Sequence, residues 1–204
     1  SVYSASPLGT KEFPDYDVAL RSAVSLARRL QDPLAELVKI EPKAISVGQY
    51  QHDIPEKDLE EQLDFVVEKT VNNVGVDLNT ASASLLEYVS GVSKAIAKNI
   101  VTYREENGRF KSRRELLKVA KLGPKAYEQC AGFLRITGGK NPLDATSVHP
   151  ESYEAATKLL EMLGYQLEDI AGGLTGLSLM AKDTKKLAEQ VGIGEITLKD
   201  IIRE

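Results

Sequence analysis

The sequence is poor in the residues that hold metals and disulfides, with one cysteine and two histidines among 204 residues. A single cysteine excludes an internal disulfide, and so few histidine and cysteine side chains argue against structural zinc. No apolar run approaches the length that crosses a bilayer, and the first residues lack the pattern of a secretory signal. We therefore expect a cytoplasmic monomer without a membrane segment, a metal or a cofactor.

Charge is distributed unevenly along the chain. The whole sequence has a formal net charge of −4, and residues 51–69 contain seven acidic side chains against two lysines. Residues 94–125 instead carry ten basic side chains against three acidic ones, a local charge of +7. A positive field confined to one segment predicts that this segment, rather than the whole surface, contacts a polyanion.

Helical spacing of apolar residues dominates the chain and predicts a mainly α fold. The expected helices outside the central segment cover residues 17–30, 33–40, 55–71, 150–163, 178–191 and 197–203. Residues 1–6 tolerate extended structure and predict a short β remnant at the N-terminus. In the helix over 17–30, the residues expected to face inward are Val18, Leu20, Ala23, Val24, Ala27 and Leu30.

Two similar units occupy the central segment at an offset of thirty residues. Apolar positions of the first unit align with those of the second, as Leu86 with Leu116, Val89 with Val119, Val92 with Leu122, Ile96 with Ala126, Ile100 with Cys130 and Tyr103 with Phe133. Each unit contains a short hinge with one glycine: VSGVS over residues 89–93, the first hinge, and VAKLG over residues 119–123, the second hinge. This repeat predicts a tandem helix-hairpin-helix domain.

Residues with cap-forming side chains mark where the four helices of this tandem should begin. We expect Asn79 or Thr80 to cap the first helix and Ser93 the second. Ser112 with Glu115 predicts a capping box for the third, and Gly123-Pro124 begins the fourth. Each hinge therefore leads directly into a helix.

The hinges are predicted to hold phosphate groups. The first amides of a helix lack intrahelical acceptors and attract anions, and a glycine with positive φ at Gly91 or Gly123 would let a phosphate approach the backbone. Contacts to phosphate alone imply sequence-independent binding of DNA or RNA that weakens with salt. The predicted contact residues are Gly91, Val92, Ser93, Lys94, Lys98, Arg113, Arg114, Lys121, Leu122, Gly123 and Lys125.

The segment from residue 78 to residue 125 resembles the hairpin pair of ComEA-type DNA receptors, but a second family matches more of the chain. Residues 25–37 (SLARRLQDPLAEL), 47–53 (VGQYQHD), 74–80 (VGVDLNT), and 141–145 with 148–151 resemble the bacterial Tex proteins, which are transcription accessory factors. Eukaryotic elongation factors of the same architecture are similar as well. The resemblance implies a role in transcription and nucleic acid as a partner, in a family with no established catalytic activity.

The Tex resemblance also implies how the chain is divided. The family has a YqgF-like domain of RNase H type, a hairpin pair, a helical segment and an RNA-binding OB-fold. We expect residues 1–54 to be the tail of the YqgF-like domain, 55–78 a connecting helix, 79–138 the tandem, and 139–204 a helical segment that precedes a missing OB-fold. The chain is thus expected to be a middle fragment of such a protein.

Three alternative interpretations remain. Asp15, Asp17 and Asp32 are carboxylates that a two-metal nuclease would need, but Asp17 and Asp32 precede predicted helices and favour caps, so we expect no enzyme. The sequence Gly192-Ile193-Gly194 imitates a third hinge, but its flanks are acidic and no matching half-unit precedes it, so we expect a loop. The acidic, leucine-rich helices around the tandem favour, as the alternative function, a scaffold that docks RNA polymerase or other transcription proteins.

Overall fold

The computed structural model describes residues 2–45, 53–174 and 183–203. The N-terminal region forms three helices, α1 (Pro7–Glu12), α2 (Val18–Gln31) and α3 (Pro33–Leu37), followed by a 3₁₀ turn over Pro42–Ile45. Helix α4 (Glu56–Val74) then leads into the central tandem. None of the helices in the described segments has both the length and the apolar character needed to span a membrane.

The tandem contains α5 (Ala83–Leu86), α6 (Lys94–Asn107), a 3₁₀ helix over Arg113–Lys118 and α7 (Pro124–Cys130). All twelve aligned apolar positions of the repeat contribute to one core, either as buried residues or as half-buried residues packed against it. The mainly α fold and the inward face of the tandem are therefore confirmed.

Two short parallel strands close the tandem where it begins and ends. Strand β1 (Val76–Asp77) pairs with β2 (Leu134–Arg135), with Val76 opposite Leu134. A second link comes from Asn79, whose amide exchanges two hydrogen bonds with the backbone of Phe110 at 2.8 and 3.1 Å. These contacts between distant parts of the sequence hold the two hairpins in one unit.

The third region begins with 3₁₀ helices over Pro142–Ala145 and Pro150–Ser152 and continues with α8 (Tyr153–Met162). Another 3₁₀ helix covers Leu167–Gly172, and α9 (Thr184–Val191) and α10 (Glu195–Arg203) complete the described chain. Leu159 and Leu198 are fully buried where α8 and α10 contribute to the same cluster. The beginning of the predicted helix over 178–191 lies outside the described residues.

A buried arginine joins the third region to the tandem. Arg113 is 1% exposed, and its guanidinium donates to the carbonyl oxygens of Leu134 and Val148 at 2.7 Å each and to the hydroxyl of Tyr153 at 2.8 Å. The guanidinium also donates to three further carbonyls, those of Gly132, Leu143 and Thr146. Its five N–H groups are thereby satisfied.

A buried carboxylate completes this junction. Asp144 is 2% exposed; it accepts from the backbone N–H of Arg113 at 3.1 Å and from the hydroxyl of Tyr153 at 2.5 Å. Burial, and then the hydrogen bond to Asp144, raise the pKa of Tyr153, so this hydroxyl stays protonated and donates at neutral pH. We call Arg113, Asp144 and Tyr153 the arginine clasp.

The N-terminal predictions need two corrections. The described residues 2–6 form turns that lead into α1, so the expected β remnant is wrong. Helix α2 is present, but its predicted inward side faces solvent: Val18 is 51% exposed and Leu30 is 90% exposed, whereas Arg21 and Ser25 are buried. Hydrogen bonds from Arg21 to Phe13 O and Thr10 Oγ1 and from Ser25 to Glu36 explain why the polar side packs inward.

Several helix ends also differ from expectation. Helix α3 ends at Leu37 rather than near residue 40. Ser82 rather than Asn79 or Thr80 caps α5, and the side chain of Asn79 is hydrogen-bonded to the backbone of Phe110. Ser112 makes no side-chain cap, so the predicted capping box is wrong. The segment that follows it is a 3₁₀ helix, whose geometry differs from that of an α-helix start. The expected cap at Ser93 is confirmed, since its hydroxyl accepts from Ile96 N at 3.3 Å.

Arg113→Ala should lower the free energy of unfolding by about 3 kcal/mol or more, because several buried carbonyls and the Tyr153 hydroxyl would lose the guanidinium that donates to them. Urea denaturation of both proteins measures the difference. The neighbouring Arg114 is exposed, so Arg114→Ala is the matched control and should change stability little. Equal stability of the two variants would contradict the clasp.

Candidate nucleic-acid interface

The two hinges have equivalent backbones but different surroundings. In the first hinge Gly91 has φ +81°, and a Cβ there would lie 2.7 Å from Gln129 Cβ and 3.2 Å from Ala126 O. The glycine is therefore required because α7 packs against it, and not because a phosphate approaches, as the sequence suggested. Position 91 belongs to the interior contact between the hairpins.

The second hinge reverses this arrangement, with α6 packing against it. Asn99 occupies the position equivalent to Gln129 and donates to Ala120 O at 2.7 Å. Lys121, the counterpart of Gly91, keeps the left-handed backbone with φ +67° and is the one described non-glycine residue with positive φ. Such a conformation costs a side chain of this kind about 1 kcal/mol or more.

Gly123 differs from the expectation for a hinge glycine. Its φ of −82° and ψ of 176° are extended rather than positive. A Cβ at this position would meet nothing within 4 Å, so neither backbone strain nor packing requires glycine. As the N-cap of α7 it offers no side chain to the helix, whereas Ser93 of the first hinge satisfies Ile96 N with its hydroxyl. The first amides of α7 therefore have no side-chain cap.

Backbone hydrogen bonds decide which hinge amides are available. The N–H groups of Val92 and Leu122 donate to Val89 O and Val119 O at 3.0 and 3.1 Å, so these two predicted donors are already occupied. Ser90 N is also used, since it donates to Asn72 Oδ1 of α4 at 3.0 Å.

Both hinges keep free amides. Within the described part of the chain, no acceptor is found for the amides of Gly91, Ser93 and Lys94, or for those of Ala120, Gly123 and Lys125. Ala120 is the counterpart of Ser90, whose amide α4 occupies. The second hinge therefore offers donors on the side where α4 covers the first.

Charges at equivalent surface positions differ strongly between the hinges. Around the second hinge the repeat places Arg114, Leu117, Lys118 and Lys121, whereas around the first it places Ser84, Glu87, Tyr88 and Gly91. These four positions have a formal charge of +3 in one hairpin and −1 in the other. Lys125 adds a further exposed cation beside the second hinge, and Lys94 and Lys98 are exposed beside the first.

The predicted contact residues divide into three groups. Ser93, Lys94, Lys98, Arg114, Lys121, Gly123 and Lys125 are exposed, and Gly91 is half-buried. Val92 and Leu122 are 6% and 3% exposed and belong to the core. Arg113 is the clear correction: its guanidinium is enclosed by carbonyl oxygens and cannot reach a phosphate. Its charge was counted in the positive segment because composition does not reveal burial.

Two of the three carboxylates considered for a nuclease site cap helices. Asp17 accepts from Leu20 N at 2.8 Å and Asp32 accepts from Ala35 N at 3.0 Å, as expected for helix caps. In the described segments no group of three or more metal-ligating side chains could hold an ion. Burial raises the pKa of the Cys130 thiol to about 12, which keeps it protonated at neutral pH.

Comparison with known families follows the three regions of the chain. The model of the Tex protein YqgF-like domain matches residues 1–31, the helix-hairpin-helix motif matches residues 71–135, and the HHH domain matches residues 141–204. The chain is 61% identical over 172 residues to the transcriptional accessory protein Tex of Neisseria gonorrhoeae, covering 84% of this chain and 23% of that protein. The chain belongs to the Tex family.

The chain is also similar to other proteins of bacteria and primates. The uncharacterized protein YdcI of Bacillus subtilis (strain 168) is 56% identical over 204 residues, which is 100% of this chain and 28% of that protein. The human S1 RNA-binding domain-containing protein 1 is 43% identical over 218 residues, covering 83% of this chain and 22% of that protein. The chain thus spans about a quarter of the length of the curated relatives it matches.

Gly192-Ile193-Gly194 form the predicted loop, but the HHH domain match shows that this loop belongs to a helical hairpin. Helices α9 and α10 form a hairpin across these residues, with Gly192 at φ +85° and Ile193 N donating to Ala188 O at 3.0 Å. The signal was present in the sequence, since Val191 to Gly194 alternates apolar residues with glycines. Here Glu195 opens α10 and pairs with Lys199 at 2.7 Å, which places a carboxylate at the helix start.

Gly91→Ala should destabilise the Tex-family tandem by roughly 1–3 kcal/mol, because the new Cβ meets both a positive φ and the packed surface of α7. Thermal or urea unfolding measures this loss. Lys121→Gly at the equivalent position is the matched control. In Lys121→Gly, the relief of backbone strain in the folded state offsets the greater freedom of the unfolded chain. The free energy of unfolding should therefore change by less than about 0.5 kcal/mol. Similar losses in both variants would show that the hinges are not packed differently.

Proposed function

We propose that this chain binds nucleic acid through backbone phosphates, without reading base sequence, and that the second hinge is the main point of contact. It does so as part of a cytoplasmic transcription accessory protein. We assign it no catalytic step. DNA and RNA are both proposed as ligands, since contacts to phosphate distinguish them poorly.

The exposed second hinge carries this proposal. Its unbonded amides at Gly123 and Lys125 lie beside the exposed cations Arg114, Lys118 and Lys121. Amides and cations together match a phosphate, which accepts several hydrogen bonds and carries negative charge. Helix α7 has only seven residues, so these local donors, rather than a long helix dipole, supply the attraction.

Lys121 supports the same assignment by a separate argument. A lysine retained in the left-handed region, where its counterpart is glycine, places a cation at the turn of the hairpin despite a cost in backbone strain. A function that benefits from the charge accounts for the residue, whereas packing does not. Its substitution by glycine therefore separates binding from stability.

The printed names of relatives support nucleic acid as the class of partner. One is a transcriptional accessory protein and another is an S1 RNA-binding domain-containing protein. Because this chain corresponds to about a quarter of those proteins, we propose that the hairpins supply one of several contacts. Binding by this chain alone is then expected to be weak.

Lys121→Glu combined with Lys125→Glu should weaken binding of a short duplex DNA by about tenfold or more, because two attractive charges become repulsive. Fluorescence anisotropy at low salt measures the dissociation constant. Lys94→Glu combined with Lys98→Glu makes the same charge change beside the first hinge and should weaken binding by less than about threefold, since α4 and nearby acids already restrict that hinge. Equal losses from the two pairs would overturn the assignment to the second hinge.

The salt dependence of binding provides an independent check of the phosphate contacts. The logarithm of the wild-type affinity should fall with the logarithm of salt concentration by roughly 0.7 to 0.9 per phosphate neutralised. The second-hinge pair of substitutions should reduce this slope by about one to two units. An affinity that does not depend on salt, in the wild-type protein, would exclude phosphate as the main contact.

A further inference from the structure

We propose that a cleft beside the first hinge binds a cationic, partly apolar segment of a partner protein. The cleft has a volume of about 830 Å³ and lies between α4, α5, the first hinge and residues 38–42. We call it the hinge-1 cleft. It lies outside the phosphate-binding surface proposed above and would give the chain a second kind of ligand.

Acidic side chains give this cleft its charge. Glu41, Asp64, Glu68 and Glu87 line it and are all exposed. Within the described part of the chain none of the four has an ion-pair partner within 4.0 Å. By contrast, Glu56 and Glu60, which lie outside the cleft, form ion pairs with Lys43. Their charges are therefore available to a ligand.

The two lysines of the cleft do not balance these acids. Lys39 is buried among carboxylates, with its ammonium 2.7 Å from Glu36 and 3.0 Å from Glu12, so its charge is already neutralised. Lys94 is exposed at the start of α6. Four carboxylates against one available ammonium leave a negative cleft, which repels phosphate and attracts cations.

The spacing of the carboxylates selects a cationic segment rather than a metal ion. No group of three or more carboxylate, histidine or cysteine side chains in the described residues is close enough to hold one ion. Dispersed charges along a cleft instead suit the guanidinium or ammonium groups of successive side chains, each of which can pair with a different carboxylate.

Apolar side chains provide the rest of the surface. Leu8, Val38, Ile40 and Pro42 line one side of the cleft, and the half-buried ring of Tyr88 lines the other. Burial, followed by the charges of Asp64 and Glu87, raises the pKa of Tyr88, so its hydroxyl remains neutral beside the acids. A ligand that combines cationic and apolar side chains satisfies both parts of the surface.

Comparison of the two hairpins favours this occupant over a second phosphate. At the position of exposed Leu117 beside the second hinge, the first hairpin has Glu87, and at the position of Lys118 it has Tyr88. At these two positions the second hinge has one cation and the first hinge has one acid, and the exposed Lys94 beside the first hinge is outnumbered by the four carboxylates of the cleft. Charge complementarity assigns nucleic acid to the second hinge and a basic protein segment to the first.

The probe for the test is a short fluorescent peptide of alternating arginine and leucine, with a glutamate-and-leucine peptide as its negative counterpart. At low salt the chain should bind the first peptide and not the second. Asp64→Lys combined with Glu87→Lys should weaken this binding by about tenfold or more, and the milder pair Asp64→Asn with Glu87→Gln should weaken it less. Both pairs alter exposed side chains, and unchanged thermal unfolding confirms that they fold.

The matched control is Glu154→Lys combined with Glu189→Lys, which reverses two exposed carboxylates on α8 and α9, away from the cleft. This pair should leave peptide binding within about twofold of the wild-type value. The inference is overturned if the wild-type chain does not bind the cationic peptide, or if the control pair weakens binding as much as the cleft pair.

Nucleic-acid binding distinguishes this inference from the proposed function. Substitution of Asp64 and Glu87 by lysine should leave duplex binding equal to or tighter than wild type, because acids beside the tandem are removed. Loss of duplex binding by the cleft pair would place both ligands on one surface and overturn the separate cleft, whereas loss of duplex binding by the second-hinge variants tests the proposed function alone.

Discussion

The guanidinium of Arg113 lies inside the junction between the tandem and the third region. Carbonyl oxygens and the Tyr153 hydroxyl accept its hydrogen bonds there. A buried charge is costly unless every donor has a partner, so the segments that supply these acceptors have to remain in place together. They include β2 and the loops around residues 132 and 143–148. This side chain therefore fixes the third region against the tandem, together with the backbone bond from Ile136 N to Asp144 O at 2.8 Å.

The repeat preserves the core while the surfaces of its two halves diverge. The same apolar positions are buried in both hairpins, and each hinge is held by the opposite helix, through Gln129 in one case and Asn99 in the other. Surface charge is not constrained by this packing. One hinge can therefore carry Lys118 and Lys121 while the equivalent positions beside the other carry Tyr88 and Gly91. A shared core with different surfaces is compatible with the two kinds of ligand that we propose for the two hinges.

The sequence predicted the tandem well because burial in a regular repeat leaves a periodic apolar pattern, as at Leu86 and Leu116. It failed where charge and burial disagree. Arg113 was indistinguishable in the sequence from the exposed Arg114, since only long-range carbonyl acceptors separate them. The inward side of α2 was misassigned because Arg21 and Ser25 are satisfied by hydrogen bonds. The third hairpin was missed because acidic flanks were given more weight than its alternating glycines.

In the proposed interface, phosphate is held by the amides and cations of the second hinge. Backbone amide chemical shifts, followed by NMR while a short duplex is added, test it residue by residue. We predict the largest shifts at Ala120, Lys121, Gly123 and Lys125, with smaller shifts at Gly91 and Ser93. Shifts concentrated at the first hinge, or spread evenly over both, would contradict the account.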